Sequence, residues 1–343
     1  MKNKLFSPIQ LRNITLPGRA VRSATELFCS YPDGHVHPYE IEIYRELSEA
    51  QLGMIITAHT CVSPEGRSNL YQNAIWSDEH MDDMRRIATT ASANNTPVIL
   101  QLGHGGMKAA GNNGGLPIYT PDNMNESEIS HVIKAFGAAG KRALQTGYSG
   151  VMLHAAHMYL LSQFFYPEYN HRTDRYGGLA EDRFRIIREI FEEIKSLCGD
   201  DFPIFIKING DDRNDTSEYH DDIVTALNIC DRLGFEAAEI SGWDSARRGT
   251  PSQPYFVSNI ARLHNETELP LIAVGGIRSM ADIEELFDAG ACAVSMSRPF
   301  LQDPMVLSKL VEGERSGCNG CCSCFSSLDP NSDRLVRCPR RTK

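Results

Sequence analysis

Eight short apolar runs constrain this chain more than any other feature of it. They are Ala20–Ala24, Gly53–Ala58, Val98–Leu102, Gly150–His154, Ile204–Ile208, Ala237–Ser241, Leu271–Val274 and Ala293–Met296. Each is followed by a polar loop and then by a stretch with helical periodicity, as in Arg183–Leu197, Tyr219–Leu233 and Met280–Asp288. Continuous apolar runs are strands buried on both faces, and strands that alternate with helices form a parallel sheet rather than a sandwich. Eight of them in 343 residues predict an α/β fold, a closed (β/α)8 TIM barrel. An open dinucleotide-binding sheet would carry GxGxxG after its first strand, and that motif does not occur. The pattern stops near Val311, where "EGERSGCNGCCSC" begins, so residues 1–310 are assigned to the barrel and 311–343 to a cysteine-rich tail.

Nearly every run ends in a polar or glycine-rich group. The endings include "SATE" (23–26), His59-Thr60, Gln101 to His104, His154 to Tyr159, Lys207 to Asn209, Ser241 to Trp243, Gly275-Gly276 and Ser297-Arg298. In a closed parallel barrel all strand C-termini open on one face, the face where ligands bind. These endings therefore converge on one rim.

Composition removes several functions. Basic and acidic residues number 34 and 44, a net charge of −10, which disfavours nonspecific nucleic-acid binding and docking on anionic membranes. No run approaches the ~20 apolar residues of a membrane span. The beginning, "MKNKLFSPIQL", has no apolar core or cleavage site of a secretory signal, so a cytoplasmic location is expected. Cys29, Cys61, Cys198, Cys230 and Cys292 are dispersed and expected to be reduced thiols. The oligomeric state is left open, a homo-oligomer included.

On the rim, "VGGIRS" (274–279) and "SMSRPF" (295–300) follow the last two strands. Glycines let backbone N–H groups approach a phosphate, and the planar fork of Arg298 holds two phosphate oxygens. Barrels often bind phosphate at strands seven and eight. With Gln101, Lys207 and two histidines nearby, the ligand could be a sugar phosphate, a pyridoxal cofactor or a flavin mononucleotide. A Schiff base on Lys207 is one reading, since a desolvated lysine on a barrel strand is nucleophilic. It leaves "HAAHMYLLSQFF" (154–165) without a task. His154, His157 and Tyr159 there are either a hydrogen-bonded structural cluster or an anion-binding, proton-donating site.

Several long motifs occur in order: "KLFSPIQLRNITLPGRAVRSA" (4–24), "PEGR" (64–67), "WSDEH" (76–80), "ILQLGHGG" (99–106), "HAAHMYL" (154–160), "NHRTDRYGG" (170–178), "VGGI" (274–277) and "SRPFLQDP" (297–304). Through them the chain resembles the Old Yellow Enzyme family of FMN-dependent ene-reductases, or NADH:flavin oxidoreductases. The resemblance implies FMN at the barrel mouth, with NADH or NADPH as electron donor and an electrophilic alkene as the small-molecule substrate. Ser23, Ala24, Thr25 and Glu26 match the segment beneath the flavin ring, and His59 a strand-two position touching it. Gln101 matches a glutamine at the pyrimidine edge, Lys207 a basic residue near flavin N1 and O2, and Gly275, Gly276, Ser297 and Arg298 the phosphate-binding segments. His154 and His157 would hydrogen-bond the carbonyl or nitro oxygen of the alkene, and Tyr159 would supply the proton.

Two features depart from the family pattern. Many relatives carry Cys or Thr near flavin N5 where this chain reads "SATE", so either Thr25 or Glu26 faces the ring; Phe28 stands where some relatives have a substrate-facing Tyr. The tail offers Cys318, Cys321, Cys324 and Cys338, with Cys322 as an alternative, and four thiolates suit zinc or a 4Fe–4S cluster. This tail is similar to the cluster motif after the barrel in trimethylamine dehydrogenase and bacterial 2,4-dienoyl-CoA reductase. Two other readings stand beside the ene-reductase: an aldolase-type barrel using Lys207, and a non-catalytic barrel that binds metal or a partner through its tail.

Overall fold

The computed structural model describes residues 2–210, 219–243, 254–325 and 336–341. Eight parallel strands close into a barrel: β1 (Ala20–Arg22), β2 (Met54–Ile56), β3 (Val98–Gly103), β4 (Gly150–Ala155), β5 (Ile204–Asn209), β6 (Ala238–Ser241), β7 (Leu271–Val274) and β8 (Ala293–Met296). Pairing runs in chain order, and β8 returns to β1 through Ser295 opposite Val21. Each strand falls within two residues of its apolar run at either end. The segment expected at Arg183–Leu197 is helix Arg185–Cys198, and that expected at Tyr219–Leu233 is His220–Leu233.

The barrel interior explains how the rim is made. Val21, Met54, Ile99, Met152, Phe205, Ala237, Ile272 and Ala293 form one buried inner cluster. Side chains alternate along a strand, so the residue two further on also points inward. That places Ser23, Gln101, His154, Lys207, Glu239 and Ser295 directly above the apolar layer. Below it, Leu11 and Leu16 from an antiparallel hairpin (Ile9–Gln10 with Thr15–Leu16) join the same cluster and plug the opposite end.

A second, larger core lies between the barrel and its helices. The longest helix, Glu126–Gln145, begins with a reciprocal capping box between Asn125 and Glu128. It packs on Arg185–Cys198 at Gly140, where a Cβ would come within 3.0 Å of Ile194. Among the described residues no helix is long and apolar enough to cross a membrane.

Candidate active site

An open cavity lies at the ends of the strands. Ser23, Ala24, Lys207, Gly275, Gly276, Ser297 and Arg298, all expected at a ligand, line it. Gly275 and Gly276 have φ of +102° and +79°, which only glycine adopts without strain, and a Cβ at Gly275 would press on the Tyr255 ring at 3.0 Å. Lys207 Nζ sits 2.7 Å from Glu239 Oε2 and donates to Ser23 Oγ at 3.2 Å. Ser295 Oγ donates to the other Glu239 oxygen at 2.6 Å. A buried ammonium and a fully buried carboxylate thus sit side by side on β5 and β6 as an ion pair. An ammonium held in an ion pair is not the free amine that a Schiff base needs.

Beside this cavity, β4 runs out into "HAAHMY". His157 and Met158 both have positive φ, +58° and +62°, a conformation costly for residues with side chains and concentrated at functional sites. The His157 N–H donates to Asn209 Oδ1 at 3.1 Å, and its Nε2 pairs with Ser241 Oγ at 2.9 Å. His154 stacks edge-on against His157 at 5.1 Å and lies 4.4 Å from the Tyr159 ring. Its Nδ1 is buried and without a hydrogen-bond partner among the described residues. Burial, reinforced by neighbouring Lys207 and Lys108, pushes both histidines well below their usual range, so both are neutral at pH 7. Burial likewise raises the Tyr159 phenol well above its usual value and keeps it protonated.

The remaining expected residues divide. Thr25 turns to Ser297, with its hydroxyl 2.7 Å from Ser297 Oγ, and to Arg22. Glu26 turns instead to His59, with Oε2 2.9 Å from Nε2. His59 therefore stands against Tyr159, whose hydroxyl is 3.2 Å from the same nitrogen. Gln101 is buried outside the main cavity wall, its Nε2 3.3 Å from Met152 Sδ. Sequence reasoning missed Glu239 and Gln72. A lone carboxylate within the apolar run "AAEIS" was a usable signal for the first, whereas Gln72 lies in a loop without pattern.

The five tail cysteines line one small crevice together with Arg298, whose Nη1 is 2.9 Å from Cys322 Sγ. Among the described residues no three His, Cys, Asp or Glu side chains stand close enough to hold a metal ion. The tail is nonetheless joined to the barrel: Val336 is fully buried, its N–H donates to Leu27 O, and Phe325 lines the main cavity.

The sequence profile of the NADH:flavin oxidoreductase / NADH oxidase family matches residues 4–316, ending before the first tail cysteine. An NADPH dehydrogenase of Halalkalibacterium halodurans is 31% identical over 89% of this chain and 93% of its own. That of Bacillus pumilus is 30% identical over 93% and 98%. Among solved structures, 2-naphthoyl-CoA reductase in complex with 2-naphthoyl-CoA superposes with a TM-score of 0.82 at 22% identity; it covers 91% of this chain, which spans about half, 52%, of that one. An Old Yellow Enzyme homologue from Zymomonas mobilis superposes at 0.75 and 22% identity, covering 90% of this chain and 92% of its own. These likenesses in structure establish the shared barrel.

Fold and site together define a flavin-dependent oxidoreductase barrel. The chain belongs to the NADH:flavin oxidoreductase / NADH oxidase family, the family of the Old Yellow Enzymes to which its motifs pointed, and takes FMN as cofactor and NAD(P)H as electron donor. The site fits the flavin nucleotide. It joins a guanidinium and two bare glycines on one wall to a lysine on another, and a buried unpaired His154 nitrogen lies alongside.

Proposed function

We propose that the chain reduces the electron-poor C=C bond of an α,β-unsaturated carbonyl, nitro or enoyl-type compound. The observation that carries this reading is the cluster of buried His154 with half-buried His157 and Tyr159, all uncharged, directly beside the rim cavity. FMN, when bound, supplies the two-electron chemistry between NAD(P)H and the alkene's β-carbon.

The chain's own residues supply the rest. Gly275, Gly276, Ser297 and Arg298 hold the cofactor's phosphate, with Thr25 bracing Ser297. Ser23, Ala24 and Lys207 line the cavity where the ring would lie, and Glu26, His59 and Gln101 would complete its surroundings by the family resemblance. His154 and His157 donate hydrogen bonds to the oxygen of the activating group, as neutral imidazoles that cost no charge desolvation and strengthen as negative charge develops there. Tyr159 gives its phenol proton to the α-carbon.

The test separates the two halves of turnover. Tyr159→Phe should leave anaerobic reduction of the protein's flavin by NAD(P)H unchanged and slow reoxidation by an enone about a hundredfold, the usual scale of a lost general acid. A nitroalkene, whose reduced product is stable as an anion, should keep its parent rate in the same variant. Reoxidation by the enone at the parent rate would exclude Tyr159 as the proton donor.

We further propose residues 311–343 as a separate appendage in which Cys318, Cys321, Cys324 and Cys338 bind zinc or a 4Fe–4S cluster. The convergence of all five tail thiols on one cavity supports this, although their present spacing is wider than a metal site. Iron, sulfide and zinc analysis of protein purified anaerobically decides it.

A further inference from the structure

The loop after β2 carries a hydrogen-bonded chain that ends on the phenol of Tyr159. Gln72 is fully buried, and two donors settle which way its amide faces. The Ser68 backbone N–H lies 2.8 Å and the Ser68 hydroxyl 3.1 Å from Gln72 Oε1. A backbone N–H only donates, so that atom is the amide oxygen. The amide nitrogen therefore faces the other way, 2.6 Å from His59 Nδ1 and 3.3 Å from the His59 carbonyl oxygen.

An amide nitrogen has no lone pair to offer, so His59 Nδ1 must accept and carries no proton. The single proton of the neutral ring then sits on Nε2. Two groups face Nε2. Glu26 Oε2 is 2.9 Å away but off the line of a hydrogen bond, whereas the Tyr159 hydroxyl at 3.2 Å is aligned. Because Nε2–H is a donor, the Tyr159 oxygen accepts from it and the phenol proton must point elsewhere. Its other protein neighbour, Ser68 Oγ, is 3.5 Å away, too far to hold it well.

We infer that His59 is a positioning residue for Tyr159, locked by Gln72 in the tautomer whose Nε2–H grips the phenol oxygen and turns the phenol proton toward the substrate. The inference rests on the reading of Tyr159 as proton donor. In the proton step the Tyr159 O–H bond breaks, a C–H bond forms at the α-carbon, and the phenolate left behind keeps the His59 hydrogen bond. That bond becomes charge-assisted and so stronger as the proton leaves, which favours the transfer. His59 keeps its own proton throughout, and solvent water restores the phenol by releasing hydroxide. The charged and titratable groups around the pair are Glu26, His154 at 5.7 Å from the His59 ring, and Lys108 over the Tyr159 ring at 5.3 Å.

Nitrogen-15 NMR of the histidine rings in the holoenzyme tests the lock directly. His59 should show the Nε2–H tautomer, and Gln72→Glu, which offers a carboxylate to Nδ1, should convert it to the doubly protonated ring. An Nδ1–H or doubly protonated ring in the parent protein overturns the proposal. Kinetics test the consequence: His59→Ala should slow enone reoxidation about ten- to a hundredfold more than it changes flavin reduction or the nitroalkene rate, the scale of a hydrogen bond to a charged group. His59→Gln, whose amide nitrogen reaches the same place, should recover most of the loss; if His59→Ala fails to fold, this variant and the NMR carry the test.

In a Tyr159→Phe background, His59→Ala should have no further effect on the enone step, whereas a merely structural role would add its own cost. A full effect of Tyr159→Phe with none of His59→Ala overturns the role of His59 and spares Tyr159 as donor. No effect of Tyr159→Phe overturns the underlying reading instead.

Discussion

The two sides of the rim bury polar groups in opposite ways. On the β5–β6 side, Lys207 and Glu239 are buried as charges, 2.7 Å apart on neighbouring strands, with serines on both. On the β4 side, His154, His157 and Tyr159 are uncharged, because desolvation disfavours their ionised forms. The difference teaches that, across β5 and β6, a buried charge is kept where the adjacent strand supplies its counter-charge at the same level. In the proposed reading, one side sets this ion-paired ammonium against the cofactor. In the same reading, the other keeps hydrogen-bond donors that respond to charge as it develops on a substrate.

The comparison is broken most severely by removing the counter-charge. Glu239→Gln leaves Lys207 buried and unpaired, and should cost about 3–5 kcal/mol in urea denaturation. Replacing both partners with apolar residues of similar size should recover much of that loss; equal instability of the single and double variants would mean the pair is not what holds the strands. Next in size, Arg298→Ala removes a charged donor from the phosphate wall and should weaken FMN about ten- to a hundredfold, read by fluorescence titration of the deflavinated protein. Unchanged affinity would place the phosphate elsewhere.

On the neutral side the effect is a pH dependence. Burial depresses His154 and His157, and also His104, which it lowers to about 4. The unfolded chain then binds more protons than the folded one as pH falls below about 6.5, so stability is full above that value and is lost toward pH 4. Each histidine contributes a slope of up to about 1.4 kcal/mol per pH unit. Denaturation midpoints that stay level over this range would show that these rings are protonated in the fold. Smallest of all, Arg45→Ala breaks ion pairs to Glu42 and Glu49 in full solvent, and the denaturation midpoint should not measurably move.

How far the site was legible follows the same division. The strands were readable because a run buried on both faces is apolar throughout, and their positions brought Ser23, Lys207, Gly275, Ser297 and Arg298 to one cavity as expected. The choice between Thr25 and Glu26 was not readable. Thr25 is short enough to reach Ser297 across the β8–β1 seam, while Glu26 is long enough to reach His59 beyond β2. Gln72 was invisible for a related reason: nothing local marks a glutamine whose two partners, Ser68 and His59, are arranged by a loop fold.

Strand identity, the closed parallel topology and the polar rim were legible in the chain's own letters, because burial on two faces and a side-chain period of two are local properties that each segment carries. Which donor meets which acceptor belongs to the folded barrel. Lys207 meets Glu239 only through the β5–β6 register, and His154 is neutral only because the closed barrel removes water from it. Distances of a few ångströms between strands set those outcomes, and no single segment contains them.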